Sequence, residues 1–228
     1  MILNIGTPCG FNPHNLHIVK ESIFDNPFMM LPDFRKKFDI RGHVAIDTLI
    51  CKKEDIDINL FNYMDSFTET EDGCWGNQCK NALMENVKDG WVYLCDDDNI
   101  IHTDLYTHLL DVLDNSIESE KFITFKHDTG FKFMKILDRE SRYSKPIINE
   151  DGIQESTCDS GQVVFHSSEW KPWPVNKESM KMKTEHGIIP LDKVQDADHW
   201  FYQNAYIENE DNFYISDHLA TFYNRLMW

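Results

Sequence analysis

A short hydrophobic run closed by three consecutive acids constrains this chain more than any other feature. Gly90 precedes Trp91, Val92, Tyr93, Leu94 and Cys95, and Asp96, Asp97 and Asp98 follow at once. The run is too short for a helix of its own and shows no polar alternation. It predicts a strand buried on both faces, as in a parallel sheet. Thr103 is placed to cap a helix after it, with Asp104 favourable in the first turn. Leu105, Leu109 and Leu113 give that helix one apolar stripe.

The same alternation recurs earlier. Ile2 to Ile5 reads as a strand entering a turn at Gly6, Thr7 and Pro8. Residues 13–24 carry Leu16, Val19 and Ile23 at helical spacing, 44–50 read as a second strand, and 76–88 as a helix ended before Gly90. Strands alternating with helices over 1–115 predict an α/β fold, a mostly parallel central sheet flanked by helices. Later residues are less regular. Strands are expected at 121–125 and 162–166, a polar loop at 138–160, and a helix at 196–207. Pro172, Pro174, Gly187 and Pro190 predict a long loop over 170–195. No repeat or linker divides the chain, so residues 1–228 are expected to form one domain, with a change of texture near residue 116.

Composition limits the ligands. Lys and Arg number 22 against 39 acids, a net charge of −17. That field repels nucleic acid and anionic membrane surfaces, and an anionic substrate would need a local cation. No stretch reaches the roughly 20 apolar residues of a membrane span, and Met1 to Ile5 lack a basic signal region. A chain without a membrane span, in the cytoplasm or that of an infected host, is the expectation. The six cysteines form no C-x-x-C pair, which favours reduced, buried thiols.

Carboxylates at the C-terminal edge of a parallel sheet face the crevice where α/β proteins bind ligands. Three adjacent carboxylates repel one another, and a hard divalent cation such as Mn²⁺ or Mg²⁺ relieves this while also binding substrate phosphates. It would let a diphosphate dock on an acidic protein and stabilise it as a leaving group. A solvated turn is the alternative for such a triplet.

The run from Gly90 to His102 resembles the D-x-D segment of glycosyltransferases with the GT-A fold, above all the β-1,3-glucuronyltransferases, whose strand ends in Asp-Asp-Asp-Asn. Thr7 and Pro8 resemble that family's Thr-Pro turn. Gly76 to Leu83, with Lys80 and Asn81, resembles its Arg-Asn-x-Ala-Leu helix. The chain is also similar to GT-A domains encoded by large algal viruses, which lack a membrane anchor. The likeness covers roughly 1–115, with three motifs in order. It implies a UDP-sugar donor held by 1–115 and an acceptor, a glycan or glycoprotein, held by 116–228. It implies that Asp98 binds Mn²⁺ directly, that Asp96 contacts the ribose and shares the metal, and that Asp97 belongs to the same grip. Thr7 and Pro8 would line the uridine pocket and Asp47 would meet the uracil ring. Lys80 replaces an arginine and would offer charge to the nucleotide without a planar fork.

An inverting transferase needs a general base for the acceptor hydroxyl. Asp198, then Asp196, are the candidates, opening the helix after a loop as in many inverting GT-A enzymes. Either could instead serve only the helix N-terminus. Asp159 could meet an acceptor hydroxyl, or simply form an Asp-Ser-Gly turn. His218 matches the region from which some GT-A enzymes draw a third metal ligand. Trp170, Trp173 and Trp200 could stack on sugar or fill the core, with Trp200 the acceptor-side candidate. Two rivals remain. A haloacid-dehalogenase-like phosphatase also uses D-x-D after a strand, but wants Thr where Ile100 stands and places the motif on the first strand. A non-catalytic cation-binding module would lack an EF-hand glycine.

Overall fold

Strand β1 (Ile2–Cys9) is buried along almost its whole length and forms the spine of the computed structural model. The structure describes residues 1–10, 13–25, 36–71, 76–115, 119–128, 143–154, 158–175, 181–184, 187–190 and 197–222. Helix α1 (Leu16–Phe24) leads to β2 (Asp39–Asp47) and β3 (Ser66–Thr70). Helix α2 (Asn77–Asn86) precedes β4 (Trp91–Leu94), and β5 (Ile100–Ile101) precedes α3 (Leu105–Asn115). The second half holds β6 (Phe122–Asp128), the short strands β7 (Tyr143–Ser144), β8 (Ile148–Asn149) and β9 (Gly152–Ile153), then β10 (Val163–His166). It ends with β11 (Lys181–Thr184), β12 (Gly187–Pro190), α4 (Ala197–Glu208) and β13 (Phe213–Phe222).

Among the described residues, nine strands form one sheet in the order β3-β2-β1-β4-β10-β6-β13-β5, with β7 beside β6. The β3-β2-β1-β4 wing is wholly parallel. Strand β10 runs against both β4 and β6, whereas β13 is parallel to β6. The sheet is thus mostly parallel, with β10, β5 and β7 reversed.

Strand alternation divides the core. Trp91, Tyr93 and Cys95 face one layer with Val19 and Ile23 of α1 and Leu105, Leu109 and Val112 of α3. Val92 and Leu94 face the other, with Leu83 and Met84 of α2 and Phe201 and Tyr202 of α4. All four β4 side chains are buried, as a two-sided strand demands. Gly90 enters β4 at φ 97°, and a Cβ there would meet the Ile2 carbonyl oxygen at 2.6 Å. Only glycine fits that corner.

Three expectations are corrected. Helix α3 starts at Leu105, so Asp104 lies before the first turn rather than in it. The stretch 138–160 is not all loop: β7, β8 and β9 lie in its described part, and β8 pairs with β9 as a hairpin. Within 170–195, β11 and β12 pair antiparallel, Lys181 with Pro190 and Thr184 with Gly187, so the two strands satisfy each other's backbone although Pro190 ends β12. The final strand β13 also went unread, since bulges at Ile215/Leu219 and Leu219/Thr221 break its alternation.

Candidate active site

The acidic triplet sits where the parallel strands end. Asp97 is buried and its Oδ2 accepts the Gly10 backbone N–H at 3.2 Å, while the Cys9 thiol also bonds to it. It ties the β4 end to the β1 end. Asp96 and Asp98 on either side stay partly exposed. Thr7 and Asp47 are buried at neighbouring strand ends, and the α2 start at Gly76 packs beside Pro8. Asp47 shapes its own turn, accepting the Leu49 N–H at 3.0 Å.

Asp159 joins this group from the far half. It caps the 3-10 turn Ser160–Gln162, with Oδ1 accepting the Gly161 N–H at 2.9 Å. The Gly161 carbonyl in turn takes the Tyr93 hydroxyl at 2.9 Å and the Thr221 hydroxyl at 3.2 Å, and Tyr93 also bonds to Thr221. So Asp159 is a turn residue, and that turn is pinned beneath the triplet by β4 and β13.

The electrostatics report the crowding. Burial raises the Asp96 carboxyl well above its ordinary range, with Asp159, Asp98 and Asp198 adding to this and Lys80 opposing it. Burial, then Asp97 and Asp159, pushes the Asp98 carboxyl up to about 7. Such carboxylates favour a cation, and their hard oxygens suit Mg²⁺ or Mn²⁺. Among the described residues, no three His, Cys, Asp or Glu side chains enclose a metal unaided.

Helix α2 supplies the other half of the site. Asn77, Lys80 and Asn81 share one face at i, i+3 and i+4. Asn77 Nδ2 donates to the Pro174 carbonyl at 3.1 Å. Asn81 clamps the Trp173 backbone, accepting its N–H at 2.7 Å and donating to its carbonyl at 3.0 Å. Lys80 Nζ reaches both Asp198 oxygens, at 2.7 and 2.8 Å. Trp173 Nε1 donates to Asp198 Oδ1 at 2.9 Å. The ammonium is buried, which alone would lower its pKa, but Asp198, Asp96 and Asp159 hold it above its ordinary value.

The structure thus brings together Thr7, Pro8, Asp47, Asp96, Asp97, Asp98, Asp159, Lys80 and Asp198 around one sheet edge. Asp196 lies outside the described residues. His218 sits in the β13 bulge with its ring stacked on His108 at 3.8 Å. Trp173 is core, 1% exposed, and stacks on Phe201 at 4.3 Å. The indole N–H groups of Trp170 and Trp200 and the Tyr202 hydroxyl are buried without a hydrogen-bond partner among the described residues. Asn77 was not singled out from the sequence, although the α2 stripe was findable from its spacing.

Neither a family model nor a curated protein matches the sequence. Solved structures match by fold. S. aureus TarS 1–349 in complex with UDP superimposes with a TM-score of 0.65 at 13% identity, over 97% of this chain and 60% of that one. The same protein in complex with UDP-GlcNAc gives 0.60 at 12% identity, over 97% and 58%. Glucosyl-3-phosphoglycerate synthase from Mycobacterium tuberculosis, in complex with Mn²⁺, UDP and phosphoglyceric acid, gives 0.55 at 9% identity, over 96% and 69%. The chain has the GT-A glycosyltransferase fold. It spans about 60% of the length of TarS 1–349.

Proposed function

We propose that the chain is a metal-dependent, inverting glycosyltransferase that moves a sugar from a UDP-sugar to a hydroxyl of a glycan or glycoprotein. One observation carries this reading: Asp96 and Asp98 are crowded at the C-terminal edge of a GT-A sheet, near Asp159, and burial favours the neutral forms of Asp96 and Asp98 unless a cation joins them. The structural neighbours solved with UDP, and one with Mn²⁺, give further support.

Asp98, with Asp96, would hold the metal, and donor oxygens and water would complete its shell. When bound, the ion supplies positive charge to the departing diphosphate. Thr7, Pro8 and Asp47 line the uridine side, while Asp97 fixes the loop through Gly10. Asp198 takes the proton of the acceptor hydroxyl, with Asp196 second. The acceptor oxygen bonds to the anomeric carbon, and the bond to the diphosphate breaks with its electron pair leaving on UDP. Asp159 and Trp200 belong to the acceptor side. His218, the candidate third metal ligand, stacks its ring on His108, which leaves its ring nitrogens available as ligands.

The phosphatase alternative fits poorly, since the triplet follows the fourth strand of the chain rather than the first. The test is a thermal-shift screen of UDP, GDP and CMP sugars with and without Mn²⁺, paired with UDP release. A ligand that binds only the folded state raises its melting temperature. Asp98→Ala is expected to erase the Mn²⁺-dependent shift with UDP. An undiminished shift in that variant sinks the assignment. Metal binding with no UDP release at all leaves a non-catalytic module instead.

A further inference from the structure

Lys80, expected at the nucleotide, directs its hydrogen bonds to Asp198 and feels the charge of Asp96 as well. Both Asp198 oxygens contact the Lys80 ammonium, at 2.7 and 2.8 Å, and the side chains are only 6% and 17% exposed. Asp198 Oδ1 carries a second donor, the Trp173 indole at 2.9 Å. Asp198 Oδ2 carries Lys80 alone among the described residues. Each carboxylate oxygen has two lone-pair sites, so Oδ1 is filled and Oδ2 keeps one open. The Trp173 ring cannot drift, because Asn81 grips its backbone from both sides and Phe201 stacks on it.

The Lys80 ammonium and the Trp173 indole thus hold the Asp198 carboxyl group from two directions and fix which oxygen faces outward. From this geometry we propose that Lys80 and Trp173 are positioning residues for the base, fixing the orientation of the Asp198 carboxyl group with Oδ2 as the proton-accepting atom. The inference rests on the transferase reading above and adds the devices that make its base work. The proton passes from the attacking hydroxyl, of acceptor or of water, to Asp198 Oδ2. Lys80 keeps all its own protons throughout.

The test uses the whole chain with Mn²⁺, a panel of UDP-sugars including UDP-glucose and UDP-GlcNAc, and water as acceptor. Lys80→Met is expected to lower kcat for UDP release roughly 100-fold, the scale of a lost general base. UDP affinity by calorimetry at saturating Mn²⁺ should fall far less than kcat, and Lys80→Arg should recover most of the rate. Weakened UDP binding with kcat retained would return Lys80 to the donor pocket and overturn the proposal, as would an unchanged kcat. If Lys80→Met fails to fold, Trp173→Phe carries the test: kcat should fall with UDP affinity kept, and an unchanged kcat overturns it. A wild-type protein that releases UDP while both variants keep its kcat overturns this inference alone. One that binds no UDP overturns the transferase reading as well.

Discussion

The two halves of the molecule hold together by different means. Residues 1–115 build a parallel wing in which each strand is followed by a crossover, and neighbouring strands pair in unbroken register, as Ile2–Cys9 does with residues 39–46. Residues after 116 reverse direction at β10, bulge twice in β13 and fold two small hairpins aside. Their order comes from an aromatic nest. Phe122 stacks on Phe213 at 4.5 Å and meets Phe165, Phe201 and Tyr202 at 6.0, 6.4 and 6.4 Å. The first half is specified by local periodicity, the second by contacts distant in sequence. The acidic triplet and Asp198 lie on opposite sides of the seam between the halves, and Lys80 reaches across it to Asp198.

The largest effect is expected from breaking the nest. Phe122 is 1% exposed, and Phe122→Ala should cost about 3–5 kcal/mol, the range for a deleted core aromatic. Urea denaturation measures it. A cost below about 1 kcal/mol would mean that the nest is not what orders the second half.

That contrast explains what the sequence could reveal. The strand from Trp91 to Leu94 was legible because burial on both faces leaves no polar residue in it. The acids after it were legible because a sheet edge is where such residues have chemistry to do. Asp159 was legible as a turn and not as a neighbour of Asp98, since 61 positions (159 − 98) separate them in the chain. The Lys80–Asp198 pair was likewise hidden: each residue drew notice separately, and only the folded chain brings them together across 118 positions. The β11–β12 hairpin was obscured by its flanking prolines, and β13 by its bulges.

A smaller effect sharpens the other side of the comparison. The first half depends on tight strand entries, and Gly90→Ala forces a side chain into φ 97° and onto the Ile2 carbonyl. A loss of about 1–3 kcal/mol is expected, by the usual cost of a strained backbone position. The equilibrium melt should shift while the fold, read by circular dichroism, stays the same. A neutral variant would show that β1 and β4 have slack there, against the close register of the wing.

The smallest effect is a pH dependence within the parallel wing. A chain of buried polar groups crosses all four of its strands. Ser66 of β3 bonds to His43 Nδ1 at 2.8 Å, His43 Nε2 meets Asn4 Oδ1 at 3.1 Å, and Asn4 Nδ2 donates to the Trp91 carbonyl at 3.1 Å. Burial lowers the His43 pKa, with Asp65 opposing and Arg41 assisting. Below about 6.5, the ordinary histidine value, the unfolded chain takes up the proton before the folded one does. More protons bound in the unfolded state means that stability rises with pH, so this contribution is lost as pH falls from about 6.5 towards the lowered folded pKa. Asp98 acts oppositely: its raised pKa means that acid relieves repulsion in the folded state. The His43 component is therefore read as a difference. Urea midpoints at about pH 7.5 and pH 5.5 should separate more in the wild type than in His43→Gln, since the wild type alone loses stability by protonating this imidazole in the unfolded chain. Equal separations would shift the acid sensitivity to His108, whose pKa burial and His218 also lower, and would leave the rung across the wing indifferent to protons.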